Sequence, residues 1–171
     1  SLLIDLLDSE LLNNPNLNAS INININQIDK FEYLKNFVSK INLADGRIFM
    51  KDFNTVWNDS VLINSDEIEF LNDIEGKKLV GEIIFNFKDI EKFFRYFQIK
   101  RNYRDVFDKI RLDFVYDFNL DKLTMNNLRV DNKSFKKIDK FINQYNKNKN
   151  SLLNKVTIRN FIKEFFQIYA G

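Results

Sequence analysis

Carboxylates and basic side chains are where chemistry has to be sought in this 171-residue chain, because it contains no histidine and no cysteine. Their absence removes the usual general base near neutral pH, the thiol nucleophile, disulfides and the commonest metal ligands. The carboxylates fall into two groups. Asp113 and Asp117 share one face of a predicted strand, but four residues of strand separate them by about 13 Å. That is too far for an acid–base pair, or for chelating one ion without partners from elsewhere. Asp66, Glu67 and Glu69 are close in sequence and read as solvated charges, with calcium binding as the alternative. A P-loop and a G-x-G-x-x-G motif are both lacking, and four scattered glycines cannot build a phosphate cradle. The residues therefore predict a protein that is not an enzyme and has no cofactor.

The most basic stretch, Arg95, Lys100, Arg101, Arg104, Lys109 and Arg111, is interleaved with Tyr96, Phe97, Tyr103 and Phe107. Base stacking or contact with phospholipid headgroups would use such a set. However, Phe93, Phe94 and Phe97 recur at helical spacing, which assigns them to a core. Lys136, Lys137 and Lys140 form the polar side of an amphipathic helix, with membrane-surface contact as the alternative. Charge is nearly balanced, 26 basic against 24 acidic residues, so no nucleic-acid partner is expected. The abundance of asparagine reads as a codon bias toward A/T rather than a binding code, and the N-x-S matches at Asn18, Asn58 and Asn132 as chance within it.

These side chains must be positioned by elements that the pattern predicts. Leu2, Leu3, Leu6, Leu7 and Leu11 form one helical stripe, ended by Asn13-Asn14-Pro15-Asn16. Leu17, Ala19, Ile21, Ile23 and Ile25 then alternate with polar residues, the period of a strand with one wet face. Phe37 to Leu43 and Arg47 to Phe53 make a hairpin about Asp45-Gly46, whose glycine is expected at positive φ. Val61 to Ile63 and Glu67 to Leu71 look extended, and Leu79 to Phe87 answers them after a turn at Glu75-Gly76-Lys77. Asp89 is a predicted N-cap for a helix through Phe97. Ile110 to Phe118 and Lys122 to Asp131 make a third hairpin. In its return strand the apolar set moves from Leu123 and Met125 to Leu128 and Val130, predicting a bulge near Asn126-Asn127. Phe135 to Tyr145 and Val156 to Tyr169 close the chain as helices.

The fold class that results is α+β: an antiparallel sheet of consecutive hairpins with a short N-terminal helix, one interrupting helix and two C-terminal helices. The expected organisation is a helix and link over 1–16, a sheet domain over 17–131 with an inserted helix over 89–98, and a helical segment over 134–171, in which the polar link 146–150 separates the two closing helices. Its 44% hydrophobic content suffices for a core. One apolar face runs along the strands, and its candidate residues are Ile21, Ile23, Ile25, Ile83, Phe85, Phe87, Leu112, Phe114 and Tyr116. They must face a core, a partner or a lipid, and the pattern leaves that choice open. A start without Met predicts a segment of a longer protein.

The run Asn18-Ala-Ser-Ile-Asn-Ile-Asn-Ile, the hairpin Lys40-Ile-Asn-Leu-Ala-Asp-Gly-Arg-Ile, Val80-Gly-Glu-Ile-Ile-Phe-Asn-Phe-Lys-Asp and Ile110-Arg-Leu-Asp-Phe-Val-Tyr-Asp-Phe together resemble the C-terminal region of AsmA-like proteins of marine alphaproteobacteria. The closing Phe165-Phe-Gln-Ile-Tyr-Ala-Gly is similar too. This resemblance implies a periplasmic module held at the inner membrane by an upstream anchor, serving envelope lipid transport or outer-membrane assembly. It implies a strongly bent sheet whose inside carries phospholipid or another envelope lipid. A structural or protein-interaction domain with no lipid ligand is the other expectation.

Overall fold

Alternating apolar and polar residues, punctuated by short turns, build one seven-stranded antiparallel sheet in which every strand pairs with the next in sequence. A computed structural model describes residues 16–27, 33–73, 76–147 and 154–171. The strands are β1 (Ala19–Gln27), β2 (Leu34–Ala44), β3 (Arg47–Trp57), β4 (Val61–Asp73), β5 (Gly76–Phe87), β6 (Lys109–Asp117) and β7 (Lys122–Val130). Helix α1 (Ile90–Phe97) and a 3₁₀ turn (Arg101–Tyr103) join β5 to β6, and α2 (Lys136–Lys147) and α3 (Lys155–Ala170) follow β7. The expected helix at the start of the chain lies outside the described residues.

With so few glycines, other residues must adopt left-handed backbone. Every described non-glycine residue with positive φ is Asn or Asp except Gln98, and these are the side chains that tolerate that region best. The asparagines thus have a use at turns and bulges, which codon bias alone did not suggest. Asp45 (φ 52°) and Gly46 (φ 71°) make the two-residue connection between β2 and β3, both positive as a type I′ hairpin turn requires.

Four places break the strand registers, between Lys35 and Val38, Val38 and Lys40, Asn64 and Ile68, and Arg111 and Asp113. Each inserts one residue on one strand and so reverses which side chains face inward beyond it. The bulge in β7 lies where the shift of its apolar set predicts, with Asn127 at φ 49°. The bulge in β4 explains why Val61 to Ile63 and Glu67 to Leu71 read as separate segments: they are one strand whose inward parity changes.

Three of these bulges are closed by small hydroxyls on the apolar side. Thr55 donates to the Lys35 carbonyl at 3.0 Å, Ser39 to Lys51 at 3.2 Å and Ser65 to Glu67 at 3.3 Å. All three side chains are buried, so each serves a carbonyl that the disturbed ladder leaves short of a partner. Gly81 faces the β4 bulge, where a Cβ would lie 3.1 Å from the Glu67 carbonyl oxygen and 3.2 Å from the Ile68 Cα.

The helices lie on one face of the sheet. Asp89 caps α1 by accepting from the Lys92 N–H at 2.8 Å, as expected, and Gln98 ends that helix in the left-handed region. Asn154 caps α3 through the Val156 and Thr157 N–H groups. Phe166 of α3 meets Phe94 edge-on at 5.0 Å and stacks on Phe107 at 5.7 Å, while Trp57 packs on Phe93, Tyr96 and Phe97 of α1. Phe94, Ile138 and Phe166 are at most 1% exposed, which places the centre of the core between the helices and β5–β7.

The sheet is not strongly curled, which corrects the strong bend. Its apolar face receives a layer of helices about 10 Å across, and a sheet rolled tightly on that side would have no room for them. The Gly46 geometry yields a direct test. Gly46→Val forces a β-branched residue into positive φ and should destabilise the protein by about 1 to 3 kcal/mol in urea unfolding; an unchanged midpoint would contradict the turn assignment.

Candidate functional site

The candidate apolar residues share one face across the whole sheet. The pairing runs Ile21, Ile41, Met50, Ile68, Gly81, Phe114 and Met125 from β1 to β7 in one row. A parallel row joins Ile63, Phe85, Ile110 and Val130. Antiparallel partners point to the same side, so Ile21, Ile23 and Ile25 lie on the face that carries Leu112, Phe114 and Tyr116.

That face has two different fates. Leu112 belongs to the core beneath the helices, and Ile83, Phe85, Phe87 and Phe114 are partly buried against that core. Leu112 is 8% exposed. At the other side of the sheet, Ile21 is 51% and Ile25 40% exposed, with Ile23 half-buried between them. A second, smaller cluster at one end joins Leu43 and Phe70 to Leu17, Ile41, Ile48, Leu79 and Phe118, and contains no residue of the three helices. Tyr116 borders the second cluster through Phe118. Its ring meets Phe118 at 4.9 Å and its hydroxyl donates to Asp121 at 2.7 Å. That hydrogen bond to a carboxylate, helped by burial, pushes the phenol up to about 12.

The opposite face carries the charges. Lys51 pairs with Glu67 at 2.9 Å and Arg111 with Glu82 at 3.2 Å, and Arg47 forks onto Glu69. Asp66 is exposed. Asp113 accepts from the Asn127 side chain at 2.6 Å, closing the β7 bulge, and Asp117 accepts the Asn119 and Leu120 N–H groups at 2.9 Å. Asp113 and Asp117 therefore serve separate local structures and are not brought together. Among the described residues, no three carboxylates gather where a metal ion could sit. A shallow depression on this face is lined by Asn18, Ser20, Asn42, Phe49 and Lys51.

The basic stretch disperses. Arg104 donates to the Ile99 carbonyl at 3.0 Å and to Glu91 at 3.2 Å, Arg111 belongs to the charged face, and Arg95, Lys100 and Arg101 are exposed. Phe97 and Phe107 are buried, and Tyr96 and Tyr103 pack against the same core, so those aromatics are not a stacking platform. Lys137 donates to the Tyr169 carbonyl at 2.8 Å, tying α2 to the end of α3, while Lys136 and Lys140 are exposed.

Sequence reasoning missed one polar group with a defined task. The Asn146 side chain accepts from the Met125 N–H at 3.0 Å and donates to the Met125 carbonyl at 2.6 Å. It thereby occupies the outer edge of β7. Its signal in the sequence is faint: Asn146 reads as the first residue of the polar link 146–150, whereas α2 continues through Lys147. Comparison with family models, curated proteins and solved structures returns no significant match. No helix among the described residues is long and apolar enough to cross a membrane.

The two fates of the apolar face predict unequal costs of truncation. Leu112→Ala should lose about 2 to 5 kcal/mol, since it leaves a cavity under the helices, whereas Ile21→Ala should lose less than about 1 kcal/mol. Paired denaturant melts measure both; equal losses would show that β1 is as covered as β6.

Proposed function

We propose that this chain is a non-catalytic binding module whose open apolar strands take the acyl chain of a phospholipid or other envelope lipid. In the reading suggested by the AsmA-like resemblance, it is the periplasmic part of an inner-membrane-anchored protein serving lipid transport or outer-membrane assembly. The observation that carries the proposal is the division of one continuous apolar face into a helix-covered part and a part where Ile21 and Ile25 are largely exposed. Exposed aliphatic side chains aligned on one side of a sheet favour an apolar occupant, and an acyl chain needs no hydrogen-bond partner from the protein.

The contact surface in this reading is Ile21, Ile23 and Ile25 with Phe37, Ile41 and Met50, their neighbours on β2 and β3. Of the remaining candidates, Leu112 is core, Ile83, Phe85, Phe87 and Phe114 pack partly buried against it, and Tyr116 packs on Phe118. Their placement favours the second reading, a structural or protein-interaction domain without a lipid ligand.

Native mass spectrometry of the purified chain, followed by lipid extraction, separates the two. The lipid reading predicts co-purifying phospholipid that is lost from an Ile21→Lys, Ile25→Lys variant with an unchanged circular-dichroism spectrum. A lipid-free native chain that also fails to take up phospholipid from vesicles leaves the structural reading.

A further inference from the structure

The two edges of the sheet are treated in opposite ways. The β7 edge is closed: the Asn146 amide makes with Met125 the two hydrogen bonds that an eighth strand would make. Further along, Val130 and Lys133 exchange backbone bonds at 3.0 and 2.9 Å, and the Asn127 bulge interrupts the strand between them. These are the devices by which proteins prevent a strand from being extended. Among the described residues, the β1 edge has none of them. Among the described residues β1 pairs only with β2, its register is unbroken from Ala19 to Gln27, and it contains no charge, no proline and no positive φ.

Its sequence is also symmetric. About Ile23, Asn22 mirrors Asn24, Ile21 mirrors Ile25 and Ser20 mirrors Asn26, and the strand limits Ala19 and Gln27 are equidistant from that centre. We propose that β1 is an assembly edge that pairs antiparallel with β1 of a second copy of this chain, about a two-fold axis at Ile23. In that register each residue faces its mirror partner, which an isologous contact demands. Ile21 meets Ile25 on the apolar face and Asn22 meets Asn24 on the polar one, with no like charges opposed. The axis runs perpendicular to the sheet, so both copies contribute their open isoleucines to the same side. The resulting sheet has fourteen strands, twice the seven of one chain, and both of its outer edges are the closed β7 type.

Asn22 and Asn24 are exposed and lie outside both core clusters, so charging them tests the edge without touching the core. Light scattering coupled to size exclusion, from low to high micromolar concentration, should show the native chain passing to twice its mass. Asn22→Lys with Asn24→Lys opposes lysines across the axis and should stay at single mass, as should Asn22→Glu with Asn24→Glu. An equimolar mixture of those two variants should recover the double mass. A native chain that stays single throughout, or a lysine variant that still doubles, or a mixture that stays single, overturns the proposal.

Discussion

The structure depends on how a single apolar sheet face is covered. Strands that alternate strictly present every second side chain to one side, and seven of them in sequence produce a wide apolar surface that water disfavours. Helices α1, α2 and α3 cover it over β5–β7, and the phenylalanines do most of that work. Phe166 touches Phe93, Phe94, Phe107 and Phe165, so the last helix is locked to the first through one ring. The charges on the opposite face are cross-strand pairs in partial contact with water, and such pairs add little beyond register. Stability therefore lies at the helical side of the sheet, and the properties of β1 follow from its distance from that layer.

Keeping one face apolar along strands of up to thirteen residues conflicts with strong twisting, and the bulges reconcile the two. Each extra residue would turn the inner set outward unless the sequence changes phase there. β3 changes from Phe53 to Met50, β4 from Ile63 to Ile68, and β7 from Met125 to Leu128. The hydroxyls of Thr55, Ser39 and Ser65 satisfy carbonyls at the breaks in β2, β3 and β4, which explains why polar side chains sit buried on an otherwise apolar face.

Much of this was legible in the residues. Alternation in β1 and β6, the Asp45-Gly46 turn, the Asp89 cap and the phase change in β7 each have a local physical cause, and each element appears where that cause points. The same phase change in β4 went unread as a bulge because Asn64, Ser65 and Asp66 supply no apolar marker between its halves. The fate of the candidate residues was not legible. Ile21 and Leu112 have the same alternating context, and only the helical layer packed over β5–β7 leaves one exposed and makes the other core. Clamping of β7 by Asn146 is likewise a contact across 21 residues that no local pattern encodes.

Native-state hydrogen exchange, at dilution where single copies prevail, tests most directly whether the helical layer anchors the molecule. Amides of β1 that bond to β2 should exchange through local opening, orders of magnitude faster than those of Leu112, Phe114 and Phe166, which should exchange only by global unfolding. Equal protection of β1 and β6 would contradict the account.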